Sequence, residues 1–303
     1  MKFHLFSLTL ILVLFTACGN DDSSNLPVDD EELPLEIDLS GCPLDIDDQS
    51  INILTWSIDG LDKATNTVEV MKELLTHYRP DIIALQDIRN NTGLFQIDRE
   101  IRGWSSILLS YNDQRNSMLG FLYDNTKIRV NGLPIHMTTL VSEELSDEGF
   151  TPFRRPIKIE FTHIETGQVA ELLNIHLKCC EGEEESRRVG GQLIKGYLDG
   201  SQSDKKLVLA GNFNDNLIGP NSVFQPFVDD TENYRIATKE IAQGPSNLWS
   251  FPSGPLQSDN FIITNELFDN QIEAGVLRID DCYPEYFDVI SNHRPVYISI
   301  KPN

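Results

Sequence analysis

Leu209-Ala210-Gly211-Asn212-Phe213-Asn214-Asp215 and Ile290-Ser291-Asn292-His293-Arg294-Pro295-Val296 decide how this chain is read. Each sets an apolar strand against a tight cluster of polar side chains. α/β enzymes present their chemistry in this way, on loops at the ends of buried strands.

Working outward, Ile51 to Trp56 reads as a first buried strand and Ile82 to Gln86 as a second. Between them Val68, Met71, Leu74, Leu75 and Tyr78 recur at helical spacing. Asn66-Thr67-Val68-Glu69 has the form of a capping box with Asn66 as cap, and Arg79-Pro80 ends the helix. Leu94, Ile97 and Ile101 suggest another short helix. β-like runs follow at Met118–Tyr123, Ile157–Thr162 and Val169–Leu177, with Pro156 and Gly167-Gln168 favouring hairpin-like pairing. A helix is expected from about Arg187 to Leu198, then strands at Lys206–Ala210, Asn260–Thr264 and Val296–Ile300. Strand–helix–strand mixed with consecutive strands predicts mixed sheets with helices outside. Residues 49–303 carry no charge block or repeat that would divide them, and read as one domain.

The amino-terminal region differs. Leu5 to Phe15 is an apolar run ending at Thr16-Ala17-Cys18. It is shorter than the roughly 20 residues of a membrane span and reads as a secretory signal. Its end resembles a bacterial lipobox, which makes residues 1–18 the signal and Cys18 the lipidated residue. Residues 19–48 are rich in Asp, Glu, Ser and Pro and read as an acidic tether. The expected location is extracytoplasmic, on the periplasmic or surface face of the outer membrane, and the only expected membrane contact is the lipid.

The net charge is −23, with 47 acidic against 24 basic residues. Phosphate backbones are bound largely through Lys and Arg, so long nucleic acid is disfavoured as a partner. A monomer is expected. Beyond Cys18 the cysteines are Cys42, Cys179, Cys180 and Cys282. The expected bridge joins Cys42 to Cys282, leaving the adjacent pair reduced or strained, because neighbouring Cα atoms lie closer than disulfides prefer. No C-x-x-C spacing suggests zinc.

Polar residues fall at successive strand ends: Ser57, Asp87, His176, Asn212 with Asn214, Asp259, and Asn292 with His293. Two histidines with Asp and Asn oxygens form an acid/base and oxygen-donor constellation. Glu181 to Glu185 reads as a solvated loop, and Trp104, Trp249 and Phe251 as loop packing.

This ordered set resembles the endonuclease/exonuclease/phosphatase (deoxyribonuclease-I-like) superfamily. Arg79-Pro80-Asp81-Ile82-Ile83-Ala84-Leu85-Gln86-Asp87 is similar to its R-P-D-I-x-x-L-Q-E motif, Arg154-Arg155-Pro156 to R-x-P, and Asn174-Ile175-His176-Leu177 to N-x-H-L. Arg187-Arg188 with Gln192 resembles R-R-x-x-Q, and the two opening stretches resemble G-D-F-N and S-D-H-x-P. The resemblance spans roughly residues 50 to 300. It implies a four-layer αββα sandwich with two central mixed sheets, and a Mg²⁺- or Mn²⁺-dependent hydrolase of phosphoric esters. By position it assigns His176 and His293 to the two catalytic histidines, and Asp259 to the carboxylate that supports the first of them. Asn214 matches the asparagine holding water or substrate, and Arg154 a phosphate contact.

The departures concentrate at the metal positions. Ser57 stands for an asparagine, Asp87 for a glutamate, and Asn212 and Asn292 for aspartates. Mg²⁺ usually relies on carboxylates, so the ion is expected to bind weakly, through Asp87, Ser57 and Asn292. Asn212, at a catalytic position, cannot accept a proton from water. Two readings stand: an extracytoplasmic phosphoesterase, and a catalytically inactive surface lipoprotein that binds a ligand in the same groove.

Overall fold

A computed structural model of the protein describes residues 37–42, 49–109, 118–137, 147–151, 154–201, 204–219 and 222–302. The apolar run at Leu5–Phe15, Cys18 and most of the acidic segment lie outside the described residues. The tether expected over residues 19–48 is corrected at its end, because Leu39 and Cys42 pack into the domain core. Cys42 is disulfide-bonded to Cys282 with 5.7 Å between Cα atoms, the pairing expected from the sequence.

The first sheet holds β1 (Ile51–Ser57), β2 (Ile82–Ile88), β3 (Trp104–Leu109), β4 (Met118–Asp124), β11 (Gln271–Val276) and β12 (Val296–Lys301), in the order β11-β12-β1-β2-β4-β3. The second holds β5 (Ile128–His136), β6 (Ile157–His163), β7 (Val169–His176), β8 (Leu207–Asn212), β9 (Tyr234–Ile236) and β10 (Asp259–Thr264), in the order β5-β6-β7-β8-β10-β9. Both are mixed: β1 and β2 are parallel, as are β7 and β8, while the other pairings are antiparallel. Helices α1 (Thr67–Tyr78) and α2 (Asn91–Glu100) cover the outer face of the first sheet, and α3 (Glu184–Ser201) that of the second. Trp104, read from sequence as loop packing, opens β3 and is buried. The expected solvated loop at Glu181–Glu185 is interrupted by the start of α3 at Glu184, where acidic side chains suit the helix dipole.

Burial on both faces explains the unbroken apolar runs of the central strands. Phe121 of the first sheet and Phe161 and Phe261 of the second fill the space between sheets together with Ile53, Ile82, Leu172 and Ala210. One polar tie crosses this layer near the site. Gln86 Nε2 donates to Asn174 Oδ1 at 2.8 Å, and Asn174 Nδ2 donates to the carbonyls of Leu85 and Gly120 at 2.9 and 3.0 Å. Such a network, buried in low dielectric, holds the facing sheets in one register.

α1 is capped differently from the sequence reading. The Asn66 side chain makes no cap bond. Thr67 Oγ1 instead accepts from the Ala64 N–H at 2.8 Å and donates to the Val289 carbonyl at 2.7 Å, tying the helix start to the late loop before β12. The helix ends as expected at Arg79, which adopts a left-handed conformation and donates its N–H to the Leu75 carbonyl.

Candidate active site

The parallel pairs β1–β2 and β7–β8 end at the same edge of the sandwich. β10 and β12, antiparallel to β8 and β1, begin there. The register sets His176 beside Asn212 and Asn212 beside Asp259 on adjacent strands. Among the described residues, non-glycine positive φ angles concentrate at this edge: Asp59, Asp87, Cys180 and Asn214, with Arg79 apart. Backbone strain of this kind persists where surrounding structure enforces it, commonly at functional sites. The β2–β4 ladder also shifts register between Leu85 and Ile88, a bulge that re-aims Asp87.

Asp259 is fully buried and binds His293, with Oδ2 2.6 Å from the ring Nδ1. This corrects the sequence assignment, which gave Asp259 to the first histidine, His176. Ser250 Oγ donates to the same carboxylate oxygen at 2.7 Å, and Phe251 stacks on the imidazole with centroids 4.5 Å apart. Phe251, expected to be simple loop packing, therefore fixes the ring plane. Burial alone would lower the His293 pKa, but Asp259, with smaller pulls from Asp87 and Asp59, more than offsets it and the pKa is raised.

His176 lies in the opposite electrostatic situation. An arginine guanidinium stays protonated and can only donate. Its NH1 lies 3.2 Å from His176 Nε2, so that nitrogen carries the lone pair and the ring is neutral. Burial is the main cause that takes the His176 pKa down to about 4. The two histidines are thus pushed in opposite directions, His293 upward by its carboxylate partner and His176 downward by burial.

This shift predicts a pH dependence of stability. The unfolded His176 titrates near pH ~6.5, above its folded value. The contribution is therefore complete above that pH and drains as pH falls toward the folded pKa. Between about pH 7 and about pH 4.5 the loss is about 2.5 kcal/mol. Urea unfolding at both pH values should show this component in the natural chain and not in His176→Gln. Equal losses in the two proteins would remove His176 from the account.

Arg154 NH2 also pairs with Asp87 Oδ1 at 2.9 Å. Arg155 turns to Asp147 at 2.5 Å, so Arg154 is the arginine at the site. Asn212 Oδ1 accepts the Asn214 N–H at 3.0 Å and its Nδ2 donates to Ser57 Oγ at 3.2 Å. Asn214 Nδ2 is held by the Leu177 carbonyl at 2.8 Å. Asn292 is exposed on the rim. Asp81, in the motif of the second strand, belongs to the framework: it accepts the Asn52 N–H and pairs with Lys127 at 3.0 Å.

The donor set does not fit a tightly held Mg²⁺ or Mn²⁺. A hard cation wants carboxylate oxygens in a closed arrangement. Here Asp87 is the carboxylate among the three expected ligands, and it faces a guanidinium. Among the described residues no group of three or more His, Cys, Asp or Glu is placed to hold a metal ion.

No protein-family model matches the sequence. No curated protein matches it either. Solved structures share its architecture. A Bacteroides vulgatus endonuclease/exonuclease/phosphatase aligns with TM-score 0.63 at 12% identity, over 84% of this chain and 99% of that one. The fold is that of the endonuclease/exonuclease/phosphatase superfamily. Two further structures of this superfamily fold match at similar depth. D. rerio TDP2 complexed with a single-stranded DNA product gives 0.63 at 14% identity, covering 84% and 100% of the two chains. A Bacteroides thetaiotaomicron mannosyl-6-phosphatase gives 0.61 at 15%, covering 83% and 99%. This is the four-layer sandwich the motifs implied.

Proposed function

We propose that this protein is an attenuated hydrolase of phosphoric esters. The observation that carries this reading is the buried Asp259–His293 pair at 2.6 Å, held by Ser250 and stacked by Phe251. With Nδ1–H committed to Asp259, His293 has Nε2 available to take a proton from an attacking water, and Asp259 stabilises the imidazolium that results. Arg154 supplies positive charge for phosphate oxygens. It already faces the Asp87 carboxylate, so an incoming phosphate exchanges one anion for another at the guanidinium. Neutral His176 orients Arg154 by accepting from it, and Asn214 lies beside this cluster. Superfamily members generally use a divalent metal ion. The donors here do not assemble one well, and no step above passes through it.

The substrate is a phosphoric ester, and strong negative charge weighs against long nucleic acid. The protein acts outside the cytoplasm as a monomer, attached to the outer membrane through a lipid on Cys18. The Cys42–Cys282 disulfide supports that location, since such bridges persist in oxidising compartments.

A second reading is favoured by the Arg154–Asp87 ion pair standing at a metal-donor position: a ligand-binding protein without turnover. The test is cleavage of bis-p-nitrophenyl phosphate and of DNA by the domain beginning at Leu35, with Mg²⁺, with Mn²⁺ and with chelator. Slow turnover abolished by His293→Ala and His176→Ala is expected, rising about 10–100-fold with metal in Asn212→Asp/Asn292→Asp. A silent natural protein beside an active double variant would establish the second reading instead.

A further inference from the structure

Cys179 and Cys180 follow β7 directly, three and four residues beyond His176. Both are exposed thiols, with sulfur atoms 2.7 Å apart. They line a groove of about 430 Å³ together with Asn214, Phe251 and Ser258. The same groove is thus bordered by the ring that stacks on His293. Nothing in the proposed hydrolysis uses these thiols.

The two kinds of cysteine in this chain contrast. Cys42 and Cys282 lie 240 residues apart in sequence with a Cα separation of 5.7 Å, inside the usual disulfide range. Adjacent residues joined by a trans peptide hold their Cα atoms at about 3.8 Å, below that range. A bridge between them is strained and more easily reduced, the property of labile rather than structural disulfides. The hydrogen bond that Cys179 shares with Cys180, and then burial, raise the Cys179 pKa, so Cys179 is held as a thiol.

The loop is also wired to the site. Buried Arg187 donates to the carbonyls of Lys178 and Cys180, both at 3.1 Å, and to Asp215 at 3.3 Å. Asn214 is bonded to the Leu177 carbonyl. Any change in the peptide between Cys179 and Cys180 therefore reaches the Asn212–Asp215 turn through Arg187.

We propose that Cys179 and Cys180 are a redox modification site, closing reversibly to a vicinal disulfide that alters the Asn212–Asp215 turn. The oxidant is a low-molecular-weight disulfide. One cysteine thiolate attacks it, breaking its S–S bond and releasing one thiol with the bonding electron pair. The neighbouring cysteine then attacks the mixed disulfide and releases the second thiol. The two protons lost by the cysteines end on the two released thiols, and the oxidant is reduced by the two electrons the pair gives up. This proposal does not depend on the hydrolase reading.

The test uses the full chain, mildly reduced and then exposed to oxidised glutathione. Trypsin cuts after Lys178 and Arg187, so residues 179–187 form one peptide carrying this pair alone. The expected product is that peptide about 2 Da lighter than the dithiol and refractory to alkylation, with full return on reduction. Hydrogen exchange at residues 212–216 should differ between the two states and not in Cys179→Ser/Cys180→Ser. A peptide carrying glutathione adducts or two free thiols overturns the site. Exchange identical in both states, with the peptide closed, overturns the coupling.

Discussion

Replacing Asp259 by asparagine lowers turnover of a phosphoric ester by roughly 10²–10⁴-fold with the fold intact. The substitution keeps shape and volume, so Ser250 still has an oxygen to meet. What it removes is the negative charge facing the imidazole. His293 loses the carboxylate that most strongly counters burial, so its pKa falls. Above the new value the ring still presents a base, but the imidazolium formed on proton transfer is no longer neutralised by a buried carboxylate at its Nδ1. NMR titration of the His293 ring reads that fall independently of any substrate. Unchanged turnover, within a few-fold, with a lowered His293 pKa would show that the pair does not carry the chemistry. Thermal unfolding of the same variant separates a damaged site from a damaged fold.

That this pair was half-legible in the sequence is instructive. His176, His293, Asp259 and Asn214 announce themselves because each sits where an apolar run stops, and the run itself is a strand buried on both faces. Their partners do not announce themselves. Pairing Asp259 with His293 rather than His176 depends on β10 lying beside β8 while the loop before β12 crosses from the other sheet, and no local pattern encodes that. Arg154 and Arg155 are equivalent as letters; which one enters the site is set by the strand entering β6. Ser250 and Phe251 come from a loop of short turns with no periodicity, so the residues that fix the His293 ring left no signal.

The strands divide in the same way. The central strands β1, β2, β7, β8, β10 and β12 are readable as apolar runs. The four that no sequence pattern revealed, β3, β5, β9 and β11, are the outer strands of the two sheets. An outer strand is paired along one side and partly solvated, so it needs fewer apolar residues and tolerates interruptions. β5 shows this in Asn131-Gly132-Leu133-Pro134, where its ladder with β6 slips register. The site is built on the inner strands, which is why its residues were visible while the sheet margins were not.

The largest stability effect expected in the molecule comes from one inner position, Gly211→Ala. Gly211 pairs with Ile175 across the parallel β7–β8 ladder and has φ of 146°. A Cβ there would lie 2.0 Å from the Ile175 carbonyl oxygen and 2.8 Å from its carbon. Those are backbone atoms of a central strand and cannot move aside as a flexible side chain would. The strands must separate or the backbone must change conformation, and either breaks ladder bonds in the buried layer. A cost of about 4 kcal/mol or more follows, a large share of the roughly 5–15 kcal/mol that holds a typical domain folded. Gly167→Ala supplies the contrast. Its φ is 70° but nothing lies within 4 Å of the added atom, so only the backbone penalty of about 1 kcal/mol applies. Urea midpoints of the two variants measure the difference, and similar losses would show that φ alone, not the close approach of β7, requires glycine at 211. The close approach has a chemical consequence, since the next pair along the ladder is His176 with Asn212. A side chain at 211 would push apart the two strands that deliver His176 and the Asn212–Asn214 turn to one edge, so any folded fraction of Gly211→Ala should also bind phosphate poorly.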